Sequence, residues 1–117
     1  MFWNGSTWVM HVFSLAAGAT LVATSVTGLA FEPQGVLEPR GYAVTQPVRL
    51  PGGTFRMYAF RQPDAAEFVS LRSADGLAWE LEAGTRFSTG SGYRITDPFV
   101  TARGDGTWLM AYKREQR

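Results

Sequence analysis

At 117 residues the chain is long enough for one small domain, and 45% apolar with 14% aromatic residues argues for a packed core rather than disorder. Its 11 Lys and Arg against 10 Asp and Glu leave a net charge of +1, which excludes the basic field of a nucleic-acid or acidic-membrane binder. The absence of cysteine excludes disulfides and thiolate metal sites, and a single histidine, His11, is too little for an imidazole metal cluster, so no metal or cofactor is expected.

Along the chain, Ser6 to His11 reads as a strand with Trp8 and Met10 in it. The uncharged run Val12 to Phe31 has the length of a membrane-spanning helix, but Ser14, Gly18, Thr20, Thr24, Ser25 and Thr27 dilute it. No basic segment precedes it, so neither a membrane span nor a signal peptide is predicted. Within it Leu21–Thr24 reads as a strand, Thr27-Gly28 as a turn and Leu29–Glu32 as a further strand. Val44–Leu50 is a short β-rich run whose Pro47 suits a strand end or an edge. Pro51-Gly52-Gly53 is hairpin chemistry, and the aromatic run after it is the hairpin's second strand. Phe68–Arg72, the Asp75-Gly76 turn and Leu77–Leu81 follow in the same sense. Ile95–Thr101, the Arg103–Gly106 turn and the strand from Thr107 complete the chain, with Lys113–Arg117 as a solvated strand end.

These elements repeat. Gly41–Val48 recurs as Gly92–Phe99 at an offset of 51, with Gly, Tyr, Thr and Pro identical. Ser6–His11, Gly53–Tyr58 and Gly106–Ala111 hold threonine, an aromatic residue and methionine in the same columns three times. Ser25–Glu32 recurs 48 residues later as Ser73–Glu80. Three matches in one order at a period of about 50 residues indicate stacked supersecondary units. Four antiparallel strands per period is the blade of a β-propeller, so the predicted fold is all-β, with about two blades plus partial ones and an incomplete ring. The expected division is a partial blade over 1–40 holding strands two to four, a full blade over 41–88, and the first two strands of the next over 89–117. Each unit buries its faces only against neighbours, so the ring is completed either by the remainder of a longer chain or by further copies of this one. The column Met10, Met57, Met110 with Trp8, Phe55 and Trp108 is expected to form the core between units.

Ser73-Ala74-Asp75-Gly76-Leu77-Ala78-Trp79 resembles the serine–x–aspartate turn followed by tryptophan of glycosidase propellers, a relative of the sialidase Asp box but one residue shorter. Asp97-Pro98-Phe99-Val100 followed by Asp105-Gly106-Thr107-Trp108 is similar to a blade pattern of the five-bladed arabinanase and invertase-like glycosidases. That resemblance implies a carbohydrate partner, an extracytoplasmic location, and a catalytic role for Asp97 on an innermost strand facing the central pocket. Gln46, at the same position one repeat earlier, would then hydrogen-bond a sugar and Arg94 would contribute to the sugar-binding surface, while Tyr42 and Tyr93 either stack on the sugar or pack at the blade entrance. Glycoside hydrolysis needs two carboxyl groups flanking one bond, and Glu38, Glu67 and Glu82 match no glutamate motif of those families. Two readings therefore stand. One is a piece of a glycoside-hydrolase-like propeller that binds and hydrolyses glycosidic bonds once its ring is assembled. The other is a non-catalytic propeller module for a glycan or a protein, or a truncated fragment without activity of its own. The serine–aspartate turn itself is expected to be structural, the carboxylate accepting backbone N–H groups, with Thr27 making a weaker version of the same turn.

Overall fold

The structure, a computed structural model, describes residues 1–117. It contains only strands and turns: β1 (Phe2–Trp3), β2 (Trp8–Ser14), β3 (Ala19–Ser25), β4 (Glu32–Val36), β5 (Tyr42–Val44), β6 (Val48–Arg49), β7 (Phe55–Arg61), β8 (Glu67–Ser73), β9 (Glu80–Leu81), β10 (Phe87–Ser88), β11 (Tyr93–Ala102) and β12 (Trp108–Gln116). The chain is all-β, as its alternating patterns and turn residues predict, and every strand pairing is antiparallel.

The strands form three meander sheets that do not close into a barrel. The first runs β1-β2-β3-β4; the second has β7 and β8 at its centre, β5 and β6 along one edge and β9 and β10 along the other; the third is the ribbon β11-β12. The uncharged Val12–Phe31 run is spent on the end of β2, all of β3 and the turn before β4, and no helix is long and apolar enough to cross a membrane.

Three boundaries differ from the expected ones. The first sheet has four strands rather than three, because Phe2 and Trp3 pair with Val9 and Trp8. The outer strands begin later than expected, β4 at Glu32 and β9 at Glu80, leaving Leu29 and Leu77 in turns. The cause is local: Asp75 Oδ1 accepts the backbone N–H groups of Leu77 and Ala78 at 2.8 and 3.0 Å, and Thr27 Oγ1 accepts that of Leu29 at 3.2 Å, so those donors are already used and unavailable to a ladder. The first edge strand of the second sheet is split into β5 and β6, with Thr45-Gln46-Pro47 between them, whereas β11 runs through with a register shift between Thr96 and Phe99.

Side chains alternate across each sheet, so each central sheet face buries against a different neighbour. Between the first and second sheets lie Phe2, Val9, Leu37, Tyr42, Phe55, Met57, Ala59, Leu71 and Trp79. Between the second and third lie Ala43, Phe60, Ala65, Phe68 and Ile95, with Phe87 and Met110 packed against them. Polar groups fix the stacking as well: the buried Thr20 hydroxyl donates to the Tyr42 carbonyl at 2.8 Å, Asn4 Nδ2 donates to the Asp75 carbonyl at 2.8 Å, and the Ile95 N–H donates to the Ala65 carbonyl at 2.9 Å. Each ties one sheet to the next.

The methionine column divides. Met57 and Phe55 are buried against the first sheet, and Met110 packs toward the second. Trp8 and Met10 alternate with Val9, which faces the second sheet, and so stand on the far face of the first sheet, half-buried, with no sheet against them. Trp108 is exposed at the rim of the third sheet.

Candidate functional site

The first strands of the second and third sheets break their ladder at the same place. In the second sheet the break is Thr45-Gln46-Pro47, between β5 and β6. In the third it is Thr96-Asp97-Pro98, where the register shifts and Asp97 adopts φ 55°, the one non-glycine residue with a positive φ. Proline cannot donate to a ladder and restricts the residue before it, so an X-Pro pair inside a strand forces an irregularity. The result is that Gln46 and Asp97 leave the pleat with exposed side chains, while Pro98 behind Asp97 is fully buried.

A left-handed backbone costs a non-glycine residue of order 1–2 kcal/mol, and aspartate tolerates it better than most because its short side chain bonds locally. Here Thr96 Oγ1 donates to Asp97 Oδ2 at 3.0 Å. The other charged groups on the ribbon form a chain beside it. Lys113, whose pKa is raised chiefly by its hydrogen bond to Glu115, also feels the Asp97 charge. The Lys113 ammonium lies 2.7 Å from Glu115, and the Arg94 guanidinium pairs with the same carboxylate. Glu115 is pulled down to about 2 by its hydrogen bonds to Lys113 and then Arg94. It stays ionised at any ordinary pH and cannot act as a proton donor.

Arg94, expected on a sugar-binding surface, is thus committed to Glu115 and to the Pro63 carbonyl at 3.3 Å. Tyr42 is buried in the first core, its ring 4.5 Å beneath the Arg61 guanidinium and its hydroxyl accepting from Arg61 Nη2 at 3.3 Å. Tyr93 is half-buried and capped the same way by Arg114 at 4.4 Å. Both rings spend a face on an arginine, a contact worth about 0.5–1 kcal/mol where solvent reaches it. These arginines were missed in the sequence, although Arg61 and Arg114 stand at the same offset as Met57 and Met110 and could have been found from the repeat.

The remaining glutamates are occupied elsewhere. Glu38 pairs with Arg40 on the surface, and Glu67 accepts from the Thr85 hydroxyl. Glu82 is gripped by both Arg56 Nε and Nη2 at 2.7 and 2.9 Å and by Ser70 Oγ at 2.9 Å, and Arg86 Nε donates to Ser70 in turn. The Arg56 hydrogen bond lowers the Glu82 pKa, so this is a fixed ionic clamp on the face of the second sheet that carries Tyr58 and Phe60. Beside Gln46, a groove of about 280 Å³ opens between β6 and the third sheet, with Arg49, Phe99 and Trp108 on its walls. No group of three or more His, Asp or Glu side chains is arranged to hold a metal ion.

The serine–aspartate turn is structural in its geometry. Ser73 Oγ accepts the N–H groups of Asp75 and Gly76 at 3.2 and 2.8 Å and donates to Asp75 Oδ1 at 3.1 Å. The backbone bonds from Ala78 and Leu77 hold the Asp75 pKa low. Ser25 repeats the arrangement on Thr27 and Gly28 at 3.2 and 2.9 Å. Trp79 packs between the first two sheets beside His11, with ring centroids 6.3 Å apart at 73°.

His11 Nε2 and Trp79 Nε1 are buried without partners. Burial, and next the N-terminal ammonium, lower the His11 pKa from 6.5 to about 4. Between these values the unfolded chain binds a proton that the folded chain refuses, so stability rises with pH through this window and is lost on acidification. The expected loss reaches about 3 kcal/mol near pH 4. Urea unfolding from pH 7 to 4 measures it, and His11→Phe is expected to flatten the slope in that window; an unchanged slope would show that His11 titrates normally.

No protein-family model matches the sequence, and comparison with curated proteins and with solved structures gives no match.

Proposed function

We propose that the three sheets are consecutive blades of a β-propeller and that the chain is a glycan-binding module, with Asp97 and Gln46 as the ligand-facing groups of adjacent inner strands. The observation that carries this reading is the repeated break in the inner strand, which frees both side chains from the ladder at equivalent positions and holds Asp97 at φ 55°. Strained, bulged positions cluster where a side chain must be aimed at a ligand. An exposed carboxylate and an exposed amide accept and donate hydrogen bonds to hydroxyl groups, and Trp108 in the adjoining groove offers an apolar face of the kind sugar rings pack on.

Binding is favoured over hydrolysis because glycoside cleavage needs a protonated acid beside an ionised carboxylate. Glu115, on the same ribbon as Asp97, is held ionised by Lys113 and Arg94 and cannot supply that proton. Hydrolysis would need a protonated carboxyl group other than Glu115 placed across the bond from Asp97.

Two substitutions test the reading. Asp97→Asn is expected to weaken binding of a neutral oligosaccharide about tenfold or more, the usual weight of a charge-assisted hydrogen bond, measured by calorimetry against an oligosaccharide panel. Asp97→Gly is expected to bind no better while raising stability by up to about 1 kcal/mol, since glycine adopts this φ without strain. Wild-type protein that binds no oligosaccharide, or variants that bind as well as it does, would remove the glycan function.

A further inference from the structure

We propose that a second copy of this chain docks head to tail on the far face of the first sheet, presenting the far face of its own third sheet. The inference rests on the repeated sheet faces and not on glycan binding.

The repeat puts the same residues on the same side of each sheet. In the second sheet Phe55, Met57 and Ala59 are buried on the face turned to the first sheet. Met110 in the third sheet turns to the second sheet in the same way. In the first sheet the matching residues, 47 positions earlier, are Trp8, Met10 and Val12. They pair across to Ser25, Ala23 and Leu21 on the face turned away from the second sheet. Nothing covers this face: Val12 is 51% and Leu21 40% exposed, and Trp3, paired with Trp8, is 42% exposed.

The opposite end of the stack carries the complementary half of the same contact. On the third sheet Phe99 pairs with Ala111 and Thr101 with Leu109, on the face turned away from the second sheet. Phe99 and Leu109 are 58% and 53% exposed. Leu109 and Ala111 stand one position past Trp108 and Met110, as Val9 and His11 stand past Trp8 and Met10. Val9 and His11 lie on the face that receives Phe55 and Met57 inside the chain. The surface that fits the Trp8–Met10–Val12 face is therefore the type of surface that Leu109, Ala111 and Phe99 present, and both belong to this chain. Such a contact joins two different surfaces, so it propagates from copy to copy and ends only when a ring closes.

Light scattering after size-exclusion chromatography over a range of concentrations is expected to give whole multiples of the 12.9 kDa chain. Met10→Glu places a charge on one face and Ala111→Glu a like charge on the other; each alone is expected to weaken association at least tenfold and run as a monomer. Mixed in equal amounts they are expected to form a one-to-one dimer, because each retains the face the other has lost. Val12→Glu, at a more exposed position, replaces Met10→Glu if the latter unfolds by circular dichroism. A wild-type monomer at all concentrations, a single variant that still assembles, or a mixture that stays monomeric would each overturn the proposal. The last result with an assembling wild type would indicate a two-fold contact, such as pairing of β12 edges. Oligosaccharide binding by the monomeric variants reports separately on the glycan reading.

Discussion

Replacing Met57 by alanine is expected to lower the free energy of unfolding by about 2–5 kcal/mol, while the same change at Met10, its partner in the repeat, is expected to cost under about 1 kcal/mol in the monomer. The two residues share a column, a strand position and a sequence context, so neither helix nor strand propensity separates them. Burial does. Met57 has no exposed surface and lies among Phe55, Ala59 and Leu71, so its removal leaves a cavity as well as losing transfer free energy. Met10 is half-buried on an uncovered face, where water fills the space an alanine leaves. Chemical denaturation of both variants at low protein concentration measures the difference. Equal costs would mean that the first sheet's far face is already covered in solution, and the cost at Met10 is expected to rise with concentration as copies associate. For a domain of ordinary stability, about 5–15 kcal/mol, the Met57 variant is close to unfolding.

Gly76→Val is expected to be the most damaging change in the turns, at about 3 kcal/mol or more. Gly76 holds φ +78°, and a Cβ there would come within 3.0 Å of both the Asn4 Cβ and the Phe2 ring. A left-handed β-branched residue adds about 1–2 kcal/mol of backbone cost to about 1–3 kcal/mol of overpacking. The turn sits against the start of the first sheet, where Asn4 donates to the Asp75 carbonyl, so the substitution also loosens the stacking of one sheet on the next. The matching Gly28→Val carries the same backbone cost at φ +79°, but its Cβ meets only the Trp8 ring at 3.3 Å, on the uncovered face where that ring can move. It is expected to cost less than Gly76→Val by about 1 kcal/mol or more. Thermal unfolding of the pair checks this; a reversed order would mean that the turn of the second sheet is not packed against the first.

The serine–aspartate turn shows how a sequence pattern can be read to the level of single hydrogen bonds. Ser73 with Asp75, and Ser25 with Thr27, were expected to tie up backbone N–H groups, and both do, the carboxylate catching two and the threonine one. The same bonds misled the strand boundaries, since Leu77 and Leu29 look like strand residues by composition yet give their N–H groups to a side chain. Propensity registers the residue type and not the competing acceptor two positions back. Tyr42 and Tyr93 show the opposite limit. Their recurrence and that of Arg61 and Arg114 are legible in the repeat, but that each arginine caps a tyrosine ring depends on strands paired across the sheet, β7 and β12.

By itself the sequence determined the all-β class, the strand sequence within each period, the hairpin glycines and the repeat that places Gln46 and Asp97 at one position. Those properties are local or periodic, set by side-chain alternation, by the conformations glycine and proline allow, and by short-range side-chain bonds to the backbone. Only the tertiary structure decided which face of each sheet is buried, that Met57 is core and Met10 is not, that Glu115 is locked as an anion by Lys113 and Arg94, and that Asp97 occupies a positive φ at a register shift. Each of these depends on what lies across a sheet or between two sheets, and similar repeats acquire different environments because only the second sheet has a neighbour on both sides.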